Sequence, residues 1–177
     1  ITVRNAYQAL VSEGLLVPGP RGYSVKGYSH EGLLTVDGFT RGAKDKELLQ
    51  TSVLDISQIP ADLDTIKALN CGVDDTILRI TRLRMISGQP YQLEHCHVVE
   101  KRFPGLADEK DLSSLYNIFD TRFKVSVVRA EQILSVKKPD QETRELLKLD
   151  NRATILFLKR TSYDQRNTPV EYVDLLI

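Results

Sequence analysis

Two spacings of apolar residues alternate along this 177-residue chain. Val3, Ala6, Tyr7, Leu10 and Val11 recur every three or four positions, which marks one face of a helix. Gly14 follows them and predicts the helix end. Leu15 to Val17 then read as a short strand, Pro18 to Gly22 as a turn and Tyr23 to Val25 as a returning strand. A helix and two short strands bury too little apolar surface to fold alone, so residues 1–25 read as the back half of a small domain. The polar stretch Lys26 to Leu34 predicts a linker.

The remainder repeats itself. Asp75 to Arg82 reads DTILRITR and Ala153 to Arg160 reads ATILFLKR, in register at an offset of 78 residues (Thr76 to Thr154). Each copy follows a short helical pattern announced by proline, PADLDTIKALN and PDQETRELLKL. Each precedes a polar turn ending in proline, SGQP and DQRNTP. Ahead of them lie a further helix and strand: TRGAKDKELL with TSVLDIS in the first half, LSSLYNIFD with VVRAEQILSV in the second. A duplicated helix–strand–helix–hairpin unit predicts an α+β fold, a mostly antiparallel sheet covered by helices. A period this long is not that of a solenoid.

Composition narrows the function less than pattern does. Lys plus Arg and Asp plus Glu balance at 24 each, so any charge signal is local. No apolar run approaches the roughly 20 residues that span a bilayer, and Cys71 and Cys96 show no pairing pattern. A reducing, cytoplasmic setting is the expectation.

The local signal lies in TRLRMISGQPYQLEH, Thr81 to His95, which reads as two strands joined at Ser87-Gly88-Gln89-Pro90. Alternation places Leu78, Ile80, Arg82, Arg84 and Ile86 on one face, so two arginines stand in line with apolar neighbours. A buried arginine needs a partner. Glu94 on the return strand is a candidate: one register sets it opposite Arg84, another sets it opposite Leu83 and on the other face. The pattern fits either a self-satisfied ion-pair strand or a site where guanidinium forks grip phosphate or carboxylate. Thr40 is placed to cap a helix beginning at Arg41, and helix N-termini attract anions. His95, Cys96 and His97 alternate across a strand with no second ligand cluster at suitable spacing, so no metal and no cofactor are expected. No nucleophile–base motif stands out.

The first 25 residues offer DNA binding instead. Thr2 and Arg4 begin a helix followed by a two-stranded wing with Arg21 and Gly22 at its tip, the arrangement of a winged helix-turn-helix.

TVRNAYQALVSEGLLVPGPRGYSV resembles the second half of the winged helix-turn-helix of GntR-family transcription regulators. GFTRGA, ILRITRLRMISGQPYQLE, FPGL, SSLY and SYDQRNTPVEY resemble the UTRA effector domain of the HutC branch. The resemblance implies residues 1–25 as a partial DNA-binding domain, 26–34 as linker and 35–177 as a UTRA domain with the chorismate-lyase-like fold. It implies a small anionic metabolite as effector, a sugar phosphate or a carboxylate. Phe39, Thr40 and Arg41 would sit at the phosphate-binding helix start, Arg82 and Arg84 would grip the anion, and Glu94, Ser114, Glu171 and Tyr172 would contact the rest. Thr2 and Arg4 would meet the operator's major groove, Arg21 and Gly22 its backbone or minor groove. The expected protein is a ligand-responsive repressor, a homodimer, with operator DNA as partner and no membrane. Two rivals stand beside it: a chorismate-lyase-like enzyme acting on a small carboxylate, and a constitutive DNA-binding protein.

Overall fold

The computed structural model describes residues 7, 8, 11, 16–19, 22–25 and 49–177. Tyr7, Gln8 and Val11 are helical, and β1 (Leu16–Gly19) pairs antiparallel with β2 (Gly22–Val25), in line with the helix and wing read from the sequence. The linker and the helix expected at Arg41 lie outside the described residues.

From Leu49 onward the elements run β3 (Leu49–Pro60), α1 (Leu63–Leu69), β4 (Thr76–Ile86), β5 (Gln89–Val99), two single 3₁₀ turns, α2 (Leu115–Thr121), β6 (Val127–Lys137), α3 (Gln141–Leu147), β7 (Ile155–Asp164) and β8 (Pro169–Leu176). The six long strands form one antiparallel sheet in the order β3-β4-β5-β8-β7-β6. The sequence repeat is therefore a structural one. Each half contributes three strands, and β5 and β8 meet at the centre.

The duplication reaches the helix caps. Asp62 caps α1 by accepting the Thr65 N–H at 2.8 Å, and Asp140 caps α3 by accepting the Thr143 N–H at 2.8 Å. Asn70 and Lys148 end the two helices in the left-handed conformation. The second hairpin has the longer turn, so equivalence in the last strands slips by one residue: Gln92 corresponds to Glu171 and Glu94 to Val173.

Alternation sends side chains to both faces of the central strands, and both are covered. On the first face Leu78, Ile80, Cys96, Val98, Leu158, Val173 and Leu175 pack beneath α2 and the segment before it, where Phe103 stacks on Phe119 at 4.5 Å. On the second face α1 covers Ile77, Val99 and Tyr172, while α3 covers Leu93, Ile155 and Leu176.

The β4–β5 register differs from both alternatives offered by the sequence. The turn is shorter than expected: Ser87 (φ 51°) and Gly88 (φ 75°) make a two-residue turn with both residues left-handed, and Gln89 and Pro90 already belong to β5. A bulge after Arg84 then shifts the ladder, so Glu94 stands opposite Arg82 and neither Arg84 nor Leu83. Because Arg82 and Arg84 differ by two, Glu94 shares a face with both.

Candidate functional site

Arg82, Arg84 and Glu94 lie on the first face at 4%, 3% and 4% exposure, within a row that is otherwise core. Glu94 Oε2 accepts from Arg82 Nη2 at 2.7 Å and from Arg84 Nη2 at 3.0 Å. Its other oxygen accepts from the Gln92 amide at 2.5 Å. Main-chain and hydroxyl oxygens satisfy the outer sides of the guanidinium groups. Arg82 Nη1 donates to the Leu112 carbonyl at 2.9 Å, and Arg82 Nη2 donates to Cys96 Sγ at 3.0 Å. Arg84 Nη1 donates to Thr51 Oγ1 and to the Ser113 carbonyl, both at 2.6 Å. The segment leading into α2 is thus tied to the arginines through two neutral carbonyls.

The second half adds to the same cluster. Arg160, the repeat equivalent of Arg82, is buried, as is Glu171 on β8. The Tyr116 hydroxyl from α2 stands 2.7 Å from Ser162 Oγ and also bonds the Glu171 carboxyl. Burial raises the pKa of Glu171, and the negative charge of Glu94 adds to the rise, against Arg82 and Arg160. Burial would also raise Glu94, but Arg82 and Arg84 outweigh it and hold Glu94 below the usual carboxylate range. Burial drives the Cys96 thiol and the Tyr116 phenol upward, so both stay protonated.

Three guanidinium groups therefore face two carboxylates, one of which is biased toward its neutral form. Charge is expensive at this depth unless it is paired. Arg82 Nε, Gln92 Oε1 and Glu171 Oε1 are buried without a hydrogen-bond partner, which leaves donor and acceptor capacity for a ligand.

The structure brings together Arg82, Arg84, Glu94 and Glu171 of the residues singled out from sequence. Ser114 is the N-cap residue of α2, with no side-chain capping bond and next to the Ser113 carbonyl that Arg84 holds. Tyr172 is not brought to this cluster. It follows Glu171 along β8, so alternation turns it to the second face, where it packs with Leu69, Ile77 and Val99. Its ring lies 5.6 Å from that of His97. Phe39, Thr40, Arg41, Thr2, Arg4 and Arg21 lie outside the described residues; Gly22 pairs with Gly19 in the β1–β2 ladder.

Four site residues escaped the sequence reading: Gln92, Tyr116, Arg160 and Ser162. Arg160 had a usable signal, since it matches Arg82 in the repeat. His95 and His97 face away from the cluster, bonded through Nδ1 to Thr81 Oγ1 and the Tyr172 carbonyl at 3.2 Å each. Among the described residues no group of His, Cys, Asp and Glu is placed to hold a metal ion, and no helix is long and apolar enough to cross a membrane.

Comparison with known proteins agrees with this architecture. The UTRA domain model matches residues 46–177. The HTH-type transcriptional repressor NagR of Bacillus subtilis is 28% identical over 175 residues, which span 97% of this chain and 72% of NagR. The effector domain of PhnF from Mycobacterium smegmatis superposes with a TM-score of 0.74 at 27% identity, covering 81% of this chain and 89% of that one. The structure of PhnF itself gives a TM-score of 0.75 at 25% identity and covers 98% of this chain and 78% of that one.

Proposed function

Since the chain belongs to the UTRA-domain family of GntR-type, HutC-branch transcription regulators, we propose that the Arg82–Arg84–Arg160 face binds a small anionic effector, a sugar phosphate, and that the protein is a repressor released from its operator by that ligand. The named relatives and structural neighbours are transcription regulators and not enzymes, and nothing favours the chorismate-lyase alternative. The observation that carries the effector reading is the gathering of three buried arginines on one face of the sheet, two of them sharing a single Glu94 oxygen. Guanidinium groups gathered on one buried face suit a phosphate or carboxylate, which they hold through charge-assisted hydrogen bonds. Glu171, Gln92, Ser162 and Tyr116 add a ring of acceptors and hydroxyls suited to a polyhydroxylated ligand beside that anion.

The coupling follows from the two carbonyls. An anionic oxygen is a stronger acceptor for a guanidinium than a neutral carbonyl. An arriving phosphate competes with Leu112 and Ser113 for Arg82 and Arg84 and releases the segment that leads into α2. An effector that favours the released arrangement shifts the population away from the one that holds DNA. In this reading residues 1–25 carry operator contacts at Thr2, Arg4, Arg21 and Gly22, residues 26–34 are the hinge, and residues 35–177 are the sensor, with Phe39, Thr40, Arg41 and Ser114 completing the phosphate site. NagR's description as a repressor supports the sign of the response. A cytoplasmic location follows from this role.

A thermal-melt screen against matched pairs, each a sugar and its phosphate, tests the proposal. A ligand at about 100 times its dissociation constant adds roughly 2.7 kcal/mol of stability. Stabilisation by phosphorylated members alone is the expected result. Stabilisation by carboxylates alone moves the effector to that class, and stabilisation by free sugars as strongly as by phosphates rejects the anion site.

A further inference from the structure

Gln92 is an amide where its repeat partner is an acid. The pair Arg84–Gln92 across β4 and β5 corresponds to the pair Ser162–Glu171 across β7 and β8. The two pairs lie at opposite ends of the buried row. Val173 pairs with Cys96 and Leu175 with Glu94, so Glu171 falls beyond Cys96, while Gln92 falls on the Arg84 side of Glu94. Gln92 is 1% exposed, so its polar atoms have no bulk water to turn to.

The surrounding bonds fix which way this amide points. Gln92 Nε2 donates to Glu94 Oε1 at 2.5 Å. An ionised carboxylate only accepts, so the amide must show it the nitrogen end. The Gln92 oxygen is thereby turned away from Glu94, and among the described residues no donor bonds it. The guanidinium across the ladder is held by other groups: Arg84 Nη2 donates to Glu94, and Arg84 Nη1 donates to Thr51 Oγ1 and the Ser113 carbonyl. A buried acceptor with no donor is costly and calls for one.

We infer that Gln92 is a specificity-determining residue of the effector site: its amide oxygen accepts a hydrogen bond from a P–OH group, so the site takes phosphate in a protonated form and turns away tetrahedral anions that carry no proton. The inference rests on the arginine face being the anion site. An anion that replaces the Ser113 carbonyl on Arg84 comes up against Gln92, because the two residues are cross-strand neighbours on one face. A bare anion oxygen set against the amide oxygen places two acceptors face to face. A P–OH removes that conflict by donating. The amide is suited to this in a way the repeat-equivalent acid is not. A carboxylate beside Arg84 would add negative charge next to the anion, whereas the amide offers an acceptor without charge. A phosphate monoester accordingly enters as its monoanion.

Inorganic phosphate and sulfate test this on the whole chain. The two ions have nearly the same size and shape. At neutral pH every phosphate species keeps a P–OH, and sulfate keeps none. Each is titrated calorimetrically at constant ionic strength. The wild type is expected to bind phosphate at least about tenfold more tightly than sulfate, since a site built around a donor rejects the analogue that lacks it. Gln92→Met, of similar length and without the acceptor, is expected to bring the two affinities within about twofold by weakening phosphate and sparing sulfate. If phosphate and sulfate weaken together in this variant, the amide only positions Glu94, and the inference is overturned. Equal affinities in the wild type also overturn it, yet leave the arginine face standing as an anion site. Binding of neither ion rejects the anion site itself and this inference with it. If Gln92→Met fails to fold by circular dichroism, Gln92→Ala is read in the same way.

Discussion

Glu94 faces Arg82 across the β4–β5 ladder and reaches Arg84 two pairs further along, so a single carboxylate oxygen holds two buried guanidinium groups. That sharing decides how the site responds to substitution. Two buried cations share this one carboxylate oxygen, and Glu94 cannot be lost cheaply.

Glu94→Gln keeps the shape and removes the charge. It removes the carboxylate that Arg82 and Arg84 share. Breaking a buried ion pair from one side typically costs about 3–5 kcal/mol. Denaturant unfolding is expected to show a loss of that order with an unchanged m-value, and the variant should recover stability in a saturating anionic ligand more than the wild type does.

Stability also carries a signature of Glu171. Burial raises its folded pKa above the ordinary value of 4.5. As pH rises above 4.5 the unfolded chain gives up this proton while the folded chain keeps it, so the native state binds more protons and its stability falls through that window. Glu171→Gln removes this contribution. The stability difference between the variant and the wild type should grow in the variant's favour from pH 4.5 upward, and a pH-independent difference would exclude the effect.

The helix caps make a paired prediction. Asp62 and Asp140 occupy equivalent positions and accept equivalent bonds from Thr65 and Thr143. Asp62→Ala and Asp140→Ala should each cost about 0.5–2 kcal/mol. Those bonds lower both carboxyl pKa values from 3.8. The stabilisation is therefore present above 3.8 and lost as pH falls through the folded values, and the penalty of each variant should shrink in acid.

Tyr116 connects α2 to the second half of the cluster. Tyr116→Phe removes the hydroxyl that meets Ser162 and Glu171 and leaves the ring in the core. If the effector's hydroxyls are read here, affinity for a sugar phosphate should fall by about 0.5–1.5 kcal/mol while affinity for inorganic phosphate stays the same.

The sheet, its duplication and the two capped helices were legible because their signals are local. Alternation marks each strand, and proline announces each of the two short helices. The β4–β5 register was not legible, because it depends on a two-residue turn and a one-residue bulge whose effects combine, and alternation is blind to both. The shared face of Arg82 and Arg84 followed from period two alone. The arrival of Arg160, Ser162 and Tyr116 at that face depends on β8 pairing with β5 at the centre of the sheet, a long-range choice that no local pattern encodes. Tyr172 shows the reverse case. Its neighbour Glu171 faces the cluster, so alternation alone assigns Tyr172 to the opposite face.

The most direct measurement is calorimetric titration of a stabilising sugar phosphate into the wild type, Arg82→Ala and Arg84→Ala. If the arginine face is the effector site, each variant loses about 1.5–3 kcal/mol of binding free energy, and the unphosphorylated sugar binds none of the three measurably. Affinities within twofold of the wild type in both folded variants would contradict the account and place the anion elsewhere.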